Sequence, residues 1–312
     1  MADDRTETLG RELAHALRTG PFSAALHLAV EASGLRLEEI QEKLAAQQLS
    51  VSLTTLSYWR RGRSRPERPE SLRAVRALED ILGLPPESLM VQLGPRRPRG
   101  QWLAQPAGTL DMERLFAARA VNDLVAEFDN PTVHRLSLLS VHDSCRLGAD
   151  RQELSMTVRQ VLRANTDRIS RCVVVYRIDD PGPPLPTIQA VSNCRIGRVR
   201  TDRGNGYLAA ELIFDRVLSA GETAAPEYEL ITTSPQRSDC CYHAFAVPVG
   251  EYLLQVQFDP AAVPARCLRY ERRAMMAPDQ GLREVWIGNT QAAHLFAVNV
   301  PAGVIGMRWE WE

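Results

Sequence analysis

The chain has 312 residues, of which 45% are hydrophobic and 24% are charged, and its formal net charge at pH 7 is -1. This length exceeds what a single hydrophobic core usually serves, so we expect two domains. Because the net charge is near zero, any affinity for nucleic acid must come from a local patch. No apolar run approaches the roughly 20 residues that a membrane-spanning helix requires.

The first residues, Met-Ala-Asp-Asp-Arg, are acidic, unlike the start of a signal peptide. The six cysteines do not show the regular spacing of a small secreted domain, so we interpret them as reduced thiols. Both features favour a cytoplasmic protein.

The N-terminal part is predicted to be all-α. Residues 1–20 are polar and are expected to form a flexible N-terminus, helical at most from Glu7 to Leu17. Apolar residues at helical spacing then predict four further helices before Gly94, separated by glycine or proline stops. These helices are expected at about 22–33, 37–47, 69–82 and 86–93, with a short helix between the second and third of them.

That short helix follows Ser52, which is a favourable N-cap residue, and Gly62 can end it in a left-handed conformation. Leu56 and Trp59 lie on one side of the predicted helix. The other side has the polar residues Thr54, Ser57, Tyr58 and Arg61. Between Ser57 and Arg76 seven arginines stand against two glutamates, which makes a strongly basic local patch. The pattern is typical of a DNA recognition helix.

Residues 22–93 resemble the Cro/C1-type helix-turn-helix domain of the xenobiotic-response-element (XRE) family. The matching residues are Val51-Ser52, Thr55-Leu56-Ser57-Tyr58-Trp59, Gly62 and the run from Arg63 to Pro66. The sequence departs from the family pattern at Arg36-Leu37, at Gln41 and between Leu44 and Val51, where the turn is one residue longer. These departures concern the angle between the two helices of the motif.

The resemblance implies that the short helix docks in the major groove of double-stranded DNA. It implies base reading by the residues at four positions, Leu53, Thr54, Ser57 and Tyr58. It implies phosphate contacts by five others, Ser52, Thr55, Arg61, Arg63 and Arg65. The alternative reading is an ordinary solvated face on a helical bundle that binds only protein.

Residues 95–109 have the Pro/Arg/Gly composition of a linker, in which Arg96, Arg97 and Arg99 could reach phosphates or simply be solvated. Residues 110–128 predict one connecting amphipathic helix with an apolar stripe from Ala117 to Phe128. We expect this helix to pack on the second domain or on a twin subunit.

Residues 129–312 consist of short strand-like runs separated by turns, which predicts a mostly antiparallel β sandwich or barrel. Twelve candidate strands are expected. They lie at about 135–141, 154–164, 172–178, 188–199, 207–214, 227–232, 242–247, 252–258, 265–270, 283–287, 294–298 and 306–311. The predicted fold class is therefore α + β, with two domains and an all-α N-terminal bundle.

A metal site was considered, because His142-x-x-Cys145 and Cys240-Cys241-x-His243 contain zinc-ligand residues. Cys240 and Cys241 are neighbours on a strand and point to opposite faces, so buried thiols are the preferred interpretation and no metal or cofactor is expected. No nucleophile elbow, P-loop or dinucleotide fingerprint is present, so no catalytic residues and no enzyme activity are predicted.

The sequence thus predicts a DNA-binding transcriptional regulator located in the cytoplasm at the nucleoid. Because one domain reads few base pairs, a homodimer on a two-fold site is expected. The β-rich domain is expected to serve oligomerisation, a protein partner or a small-molecule effector. A scaffold protein, or a DNA-targeted enzyme with a novel site, remains an alternative.

Overall fold

The computed structural model describes residues 2–94, 108–128, 135–178 and 184–311. The protein has N-terminal helices followed by a largely β region with several sheets, so the predicted α + β class is confirmed at this level. Two compact units are present. The helical unit comprises Met1–Arg99 with Asp167–Arg171 and Asp215–Ser219, and the β unit comprises the rest. The predicted linker falls almost wholly on residues 95–107, outside the described residues, as do Arg96, Arg97 and Arg99.

Six helices of the helical unit fall within the described residues. They are α1 (Ala2–Thr19), α2 (Phe22–Ser33), α3 (Leu37–Ala46), α4 (Leu53–Arg60), α5 (Pro69–Ile81) and α6 (Met90–Leu93). The bounds of α2 are those predicted, because Phe22, Leu26, Ala29 and Val30 form one buried face and Gly34 ends the helix with φ 69°. The predicted fifth helix is shorter than expected.

The segment predicted to be a flexible N-terminus, partly helical from Glu7 to Leu17, forms the longer helix α1. Its second half packs on the core of the helical unit through Leu13, Ala16 and Leu17. These residues are spaced at i, i+3 and i+4, so they share one face of a helix. All three lie within the stretch predicted to be helical, whereas the mobility expected of residues 1–20 stays a prediction.

The turn between α3 and α4 is closed by a residue in a left-handed conformation. Gln48 has φ 60°, and the amide of Leu49 donates to the carbonyl of Leu44 over 3.0 Å. This arrangement is a helix C-terminal cap of the kind that glycine usually provides. The side chain of Gln41 donates to the carbonyl of Val51 over 3.1 Å, so this departure from the family pattern ties α3 to the start of α4.

Replacing Gln48 with glycine is expected to stabilise the helical unit by about 0.5 kcal/mol, because glycine adopts a positive φ without steric cost. Urea unfolding followed by circular dichroism measures the change. The matched control is Gln47→Gly, where φ is -93° and glycine only adds unfolded-state entropy. Equal destabilisation by both substitutions would contradict the proposed strain at Gln48.

The connecting segment 110–128 is two short helices, so the prediction of one continuous helix was wrong. The helix α7 covers Met112–Phe116 and α8 covers Ala120–Ala126, with Ala117 between them at φ 54°. Val121, Leu124 and Phe128 of the predicted stripe are buried with Tyr207 and Val304, whereas Ala117 is exposed. The break lets α7 and α8 each turn an apolar side to the β unit, which a straight helix could not do.

Fourteen strands lie in the described part of the chain. They are β1 (Leu136–Leu147), β2 (Glu153–Ala164), β3 (Ile169–Arg177), β4 (Thr187–Ser192), β5 (Cys194–Asp202), β6 (Tyr207–Leu218), β7 (Thr223–Ala224), β8 (Glu227–Ile231), β9 (Cys240–Phe245), β10 (Val249–Gln257), β11 (Arg266–Arg272), β12 (Gln280–Glu284), β13 (Ala292–Val300) and β14 (Gly303–Glu310). Every predicted strand overlaps one of them. The run predicted at 188–199 is two strands, because Asn193 between β4 and β5 has φ 57°.

The strands form three sheets. The largest has the order β13-β10-β1-β2-β8-β4 with β7 beside β2, the second is β12-β11-β14-β9 and the third is β3-β6-β5. Most described pairs are antiparallel, as predicted, but β1 and β10 pair in parallel with Asp143 opposite Leu254. A parallel pair needs a long crossover, and more than 100 residues separate these strands in the sequence.

No helix among the described residues is both long enough and apolar enough to cross a membrane.

Candidate nucleic-acid interface and a cavity in the β unit

The start of α4 is fixed by its N-cap. The hydroxyl of Ser52 accepts a hydrogen bond from the Thr55 amide over 3.2 Å, and the Ser52 and Thr55 hydroxyls are 2.9 Å apart. An N-cap of this type satisfies one of the free amides in the first helical turn. Ser52 and Thr55, which are both expected to contact phosphates, therefore also cap the N-terminus of α4.

The two sides of α4 differ in exposure as the sequence predicted. Leu56 and Trp59 are each 2% exposed and belong to the helical core. Thr54 and Tyr58 are exposed on the outer side, whereas Leu53 and Ser57 are half-buried. Of the four residues expected to read bases, the outermost two are thus the most available.

A left-handed glycine ends α4 and sets the direction of the basic segment. Gly62 has φ 69°, and the amide of Arg63 donates to the carbonyl of Tyr58 over 2.9 Å. The guanidinium of Arg63 lies 5.9 Å from the centre of the Tyr58 ring, a cation–π contact. Arg61, Arg63 and Arg65 are all exposed. The structure therefore brings Tyr58 of the predicted polar face and the predicted cation Arg63 together.

The β unit contains a cavity of about 330 Å³ next to a second of about 180 Å³. Both are lined by His243 and Tyr228, together with apolar residues that include Phe116 and Val174. The larger volume is within the range of small-molecule sites. No sequence motif indicated this cavity, because its lining comes from distant strands.

A buried hydrogen-bond network lies behind His243. Oδ2 of Asp143 is 2.9 Å from Nδ1 of His243 and accepts a hydrogen bond of 2.9 Å from the hydroxyl of Tyr252. Asp143 and Tyr252 are fully buried, and Phe245 stacks on the His243 ring at 4.3 Å. Because Asp143 accepts from Nδ1–H, the neutral imidazole has its acceptor at Nε2. A carboxylate that orients an imidazole in this way fixes both the position and the tautomer of the ring.

Burial sets the protonation of the two tyrosines. Desolvation raises the pKa of Tyr228 and that of Tyr252 well above the ordinary value for a phenol, and the Asp143 carboxylate adds to both shifts. Each hydroxyl therefore remains a hydrogen-bond donor across the physiological pH range.

The residues considered as zinc ligands lie on β1 and β9. The six cysteines all lie in the described ranges and form no disulfide bond there, and four of them are buried, Cys145 and Cys241 among them. His142 bonds Gln255 through Nε2 at 2.8 Å on the exposed side of β1, away from the buried Cys145. Within the described ranges, no group of three His, Cys, Asp or Glu side chains is arranged to hold a metal ion.

Neither a protein-family model nor a curated protein matches the chain. Among solved structures, the chain is similar to an M1 zinc metallopeptidase of Deinococcus radiodurans, a mutant bound to a Tyr-Ser-Ala substrate. The identity is 15%, the TM-score is 0.34, and the match covers 56% of this chain and 43% of that one. A second structure of an M1 zinc metallopeptidase from Deinococcus radiodurans has an identity of 14% and a TM-score of 0.31, and the match covers 55% of this chain and 42% of that one. The chain thus spans less than half the length of these structures, and no functional argument is drawn from a likeness this slight.

Proposed function

We propose that the protein is a sequence-specific DNA-binding transcriptional regulator whose helix α4 enters the major groove. The observation that carries the proposal is the exposed face of α4, where Thr54, Tyr58 and Arg61 stand over a core anchored by Leu56 and Trp59. Side chains of these types reach base edges and phosphates, and the helix is held at both ends by caps. The XRE-family resemblance of residues 22–93 supports the same role.

The cations around α4 favour DNA over a protein partner. Arg60, Arg61, Arg63, Arg65 and Arg68 lie within nine residues of one another in the sequence. Binding of such a dense group of cations to a phosphate backbone releases counterions and so increases the affinity for DNA, whereas most protein surfaces offer no such gain. Arg61, Arg63 and Arg65 are proposed as phosphate ligands beside Ser52 and Thr55. Leu53 and Ser57 are proposed to complete the base contacts.

We further propose that the β unit is an antiparallel sandwich that serves assembly or effector binding in a cytoplasmic homodimer. Support for the sandwich comes from His243 and Phe245 of β9, whose rings meet Tyr252 of β10 at 5.8 and 5.2 Å. Two sheets of the β unit therefore place side chains against each other, as the inner faces of a sandwich do. A dimer would give a two-fold operator of adequate length.

The test is footprinting of the purified protein on its fragmented source genome at about 150 mM salt, beside the double variant Tyr58→Ala, Arg61→Ala. We expect enrichment at a few shared, two-fold sites in the unaltered protein. The double variant should lose about 30-fold or more in affinity at those sites, because it removes a base contact and a phosphate contact. With Arg61→Ala alone, the slope of the logarithm of the binding constant against the logarithm of the salt concentration should fall in magnitude by about one.

The control variant is Arg11→Ala, which removes one positive charge from the exposed surface of α1, outside the basic segment. It should leave the footprint unchanged. Uniform weak binding, or sites that survive the double variant, would overturn the role of α4. That result would favour the scaffold reading or a DNA-targeted enzyme.

A further inference from the structure

The cavity in the β unit is lined by apolar strand residues that are only partly buried by the rest of the protein. The β3 sequence from Cys172 to Tyr176 is apolar on both faces, yet Val174, Val175 and Tyr176 are only half-buried. Each of these residues lines the larger cavity, with Met156 and Leu230 on neighbouring walls. Apolar side chains left accessible inside a folded unit indicate a site for an apolar molecule.

The larger cavity also has polar and charged lining residues, and two polar groups that line both cavities are available to a bound molecule. Nδ1 of His243 is occupied by Asp143, and its Nε2 has no hydrogen-bond partner in the described part of the chain. The hydroxyl of Tyr228 has none among the same residues, although Tyr228 is only 5% exposed. Neither atom belongs to the fully enclosed unpaired polar atoms of the described residues, so both are accessible to a molecule bound in the cavity, which can serve as their hydrogen-bond partner.

The charge of the surroundings restricts what that partner is. The charged residues that line the larger cavity are Glu153, Asp239, Arg177 and Arg237, so the formal charges of its lining cancel. The Asp143 carboxylate bonded to His243 further disfavours an anion beside the imidazole ring. A cation could not reach Asp143, because the unpaired Oδ1 of that carboxylate is closed off from the cavity. A neutral molecule avoids both costs.

We propose that the cavity binds a neutral, mainly aromatic molecule with a hydroxyl group, held between His243 and Tyr228. A hydroxyl is both a donor and an acceptor, so one oxygen can donate to Nε2 of His243 and accept from the hydroxyl of Tyr228. The aromatic body contacts Phe116, Val174 and Met156. This site goes beyond DNA recognition, and binding at it does not depend on the role proposed for α4.

The test compares three probes by fluorescence titration and calorimetry with the full-length protein and no DNA. The probes are 2-naphthol, naphthalene and 2-naphthoate, which share a ring system and differ in the hydroxyl and the charge. We expect 2-naphthol to bind about tenfold more tightly than naphthalene, and 2-naphthoate to bind more weakly than 2-naphthol.

Two variants each remove one polar group with little change of shape. Tyr228→Phe deletes only the hydroxyl. His243→Asn keeps an N–H donor toward Asp143 and removes Nε2. In both variants the preference for 2-naphthol over naphthalene should fall to about twofold or less. Tyr58→Phe and the exposed His294→Asn are the matched controls and should keep the full preference.

A third variant tests the space itself. Val174→Trp fills the cavity lining, so it should abolish the binding of both 2-naphthol and naphthalene while the circular dichroism spectrum stays unchanged. The proposal is overturned by equal binding of 2-naphthol and naphthalene, by no binding of either, or by tighter binding of 2-naphthoate. It is also overturned if the preference survives in Tyr228→Phe and His243→Asn.

Discussion

Replacing Glu79 with alanine is expected to lower the free energy of unfolding of the helical unit by about 3 kcal/mol or more. Glu79 is 2% exposed and accepts three backbone hydrogen bonds, from the amides of Glu87, Leu89 and Met90 at 2.8, 2.7 and 2.9 Å. These amides begin the segment that leads into α6, and they have no helical acceptor of their own. The carboxylate of α5 therefore holds the connection between α5 and α6 in place.

The large effect follows from what the substitution leaves behind. Alanine removes all three acceptors at once, and each buried amide without a partner costs about 1–3 kcal/mol. Burial raises the pKa of Glu79, while the three amides act in the opposite direction by stabilising the carboxylate. Glu79→Gln keeps one acceptor oxygen, so its destabilisation should be smaller than that of Glu79→Ala.

Urea unfolding followed through the helical circular dichroism signal measures the effect. The control is Asp80→Ala, which removes a carboxylate from the next position of α5, where the side chain is exposed. This control should change the stability by less than about 0.5 kcal/mol. A loss of under about 1 kcal/mol in Glu79→Ala would contradict the role given to the three amides.

A second large effect is expected at Glu211 in the β unit, where Glu211→Ala should cost about 3–5 kcal/mol. The side chain of Glu211 is 1% exposed, and its Oε1 lies 2.8 Å from Nη2 of Arg198. Oε2 accepts from Nε and from the backbone amide of Arg198 at 2.9 and 3.1 Å. Removal of the carboxylate would leave the guanidinium and the amide without these bonds in a largely buried place.

The geometry of β5 explains why one residue donates so many of these bonds. The register between β5 and β6 shifts between Ile196 and Val199, so the residues between them leave the regular ladder. The amide of Arg198 then needs an acceptor outside the strand pairing, and Glu211 provides it. The Arg198 guanidinium also lies 5.5 Å from the centre of the Phe128 ring.

The control at this position is an exposed ion pair of the same chemistry. Glu113 pairs with Arg119 at 2.9 Å, with side-chain exposures of 42% and 87%. Glu113→Ala should therefore cost no more than about 1 kcal/mol. Urea unfolding followed by tryptophan fluorescence, to which Trp286, Trp309 and Trp311 of the β unit contribute, measures the loss, and similar losses in both variants would refute the burial argument.

Much of the helical unit could be predicted from the sequence because its signals are local. The bounds of α2, the N-cap at Ser52, the buried Leu56 and Trp59 and the left-handed Gly62 all follow from spacing and residue type within one or two turns. The full extent of α1 and the break at Ala117 were not predicted. The predicted helical stretch from Glu7 to Leu17 contains the apolar residues of α1 that pack on the core, but the residues before it are mostly polar, and no sequence pattern indicates an alanine in a left-handed conformation.

The β unit shows what the sequence could not determine. Alternating residues predicted where strands lie, but the parallel pairing of β1 with β10 depends on contacts across more than 100 positions. The same distance separates Asp143 from His243, so no spacing rule could find that pair or the cavity it faces. His243 entered the sequence analysis only as a zinc ligand, and Tyr228 and Tyr252 had no role there.

By itself the sequence determined the helical elements of the first unit, the basic face of α4 and the strand-rich character of the second unit. Each depends on interactions between residues close in the chain, where periodicity, caps and charge runs are visible directly. Only the tertiary structure decided the sheet order, the burial of Glu79 and Glu211, and the hydrogen bond that orients His243. These features depend on contacts between groups that are distant in the sequence and become buried together when the chain folds. The order of residues along the chain does not specify which of these groups come into contact.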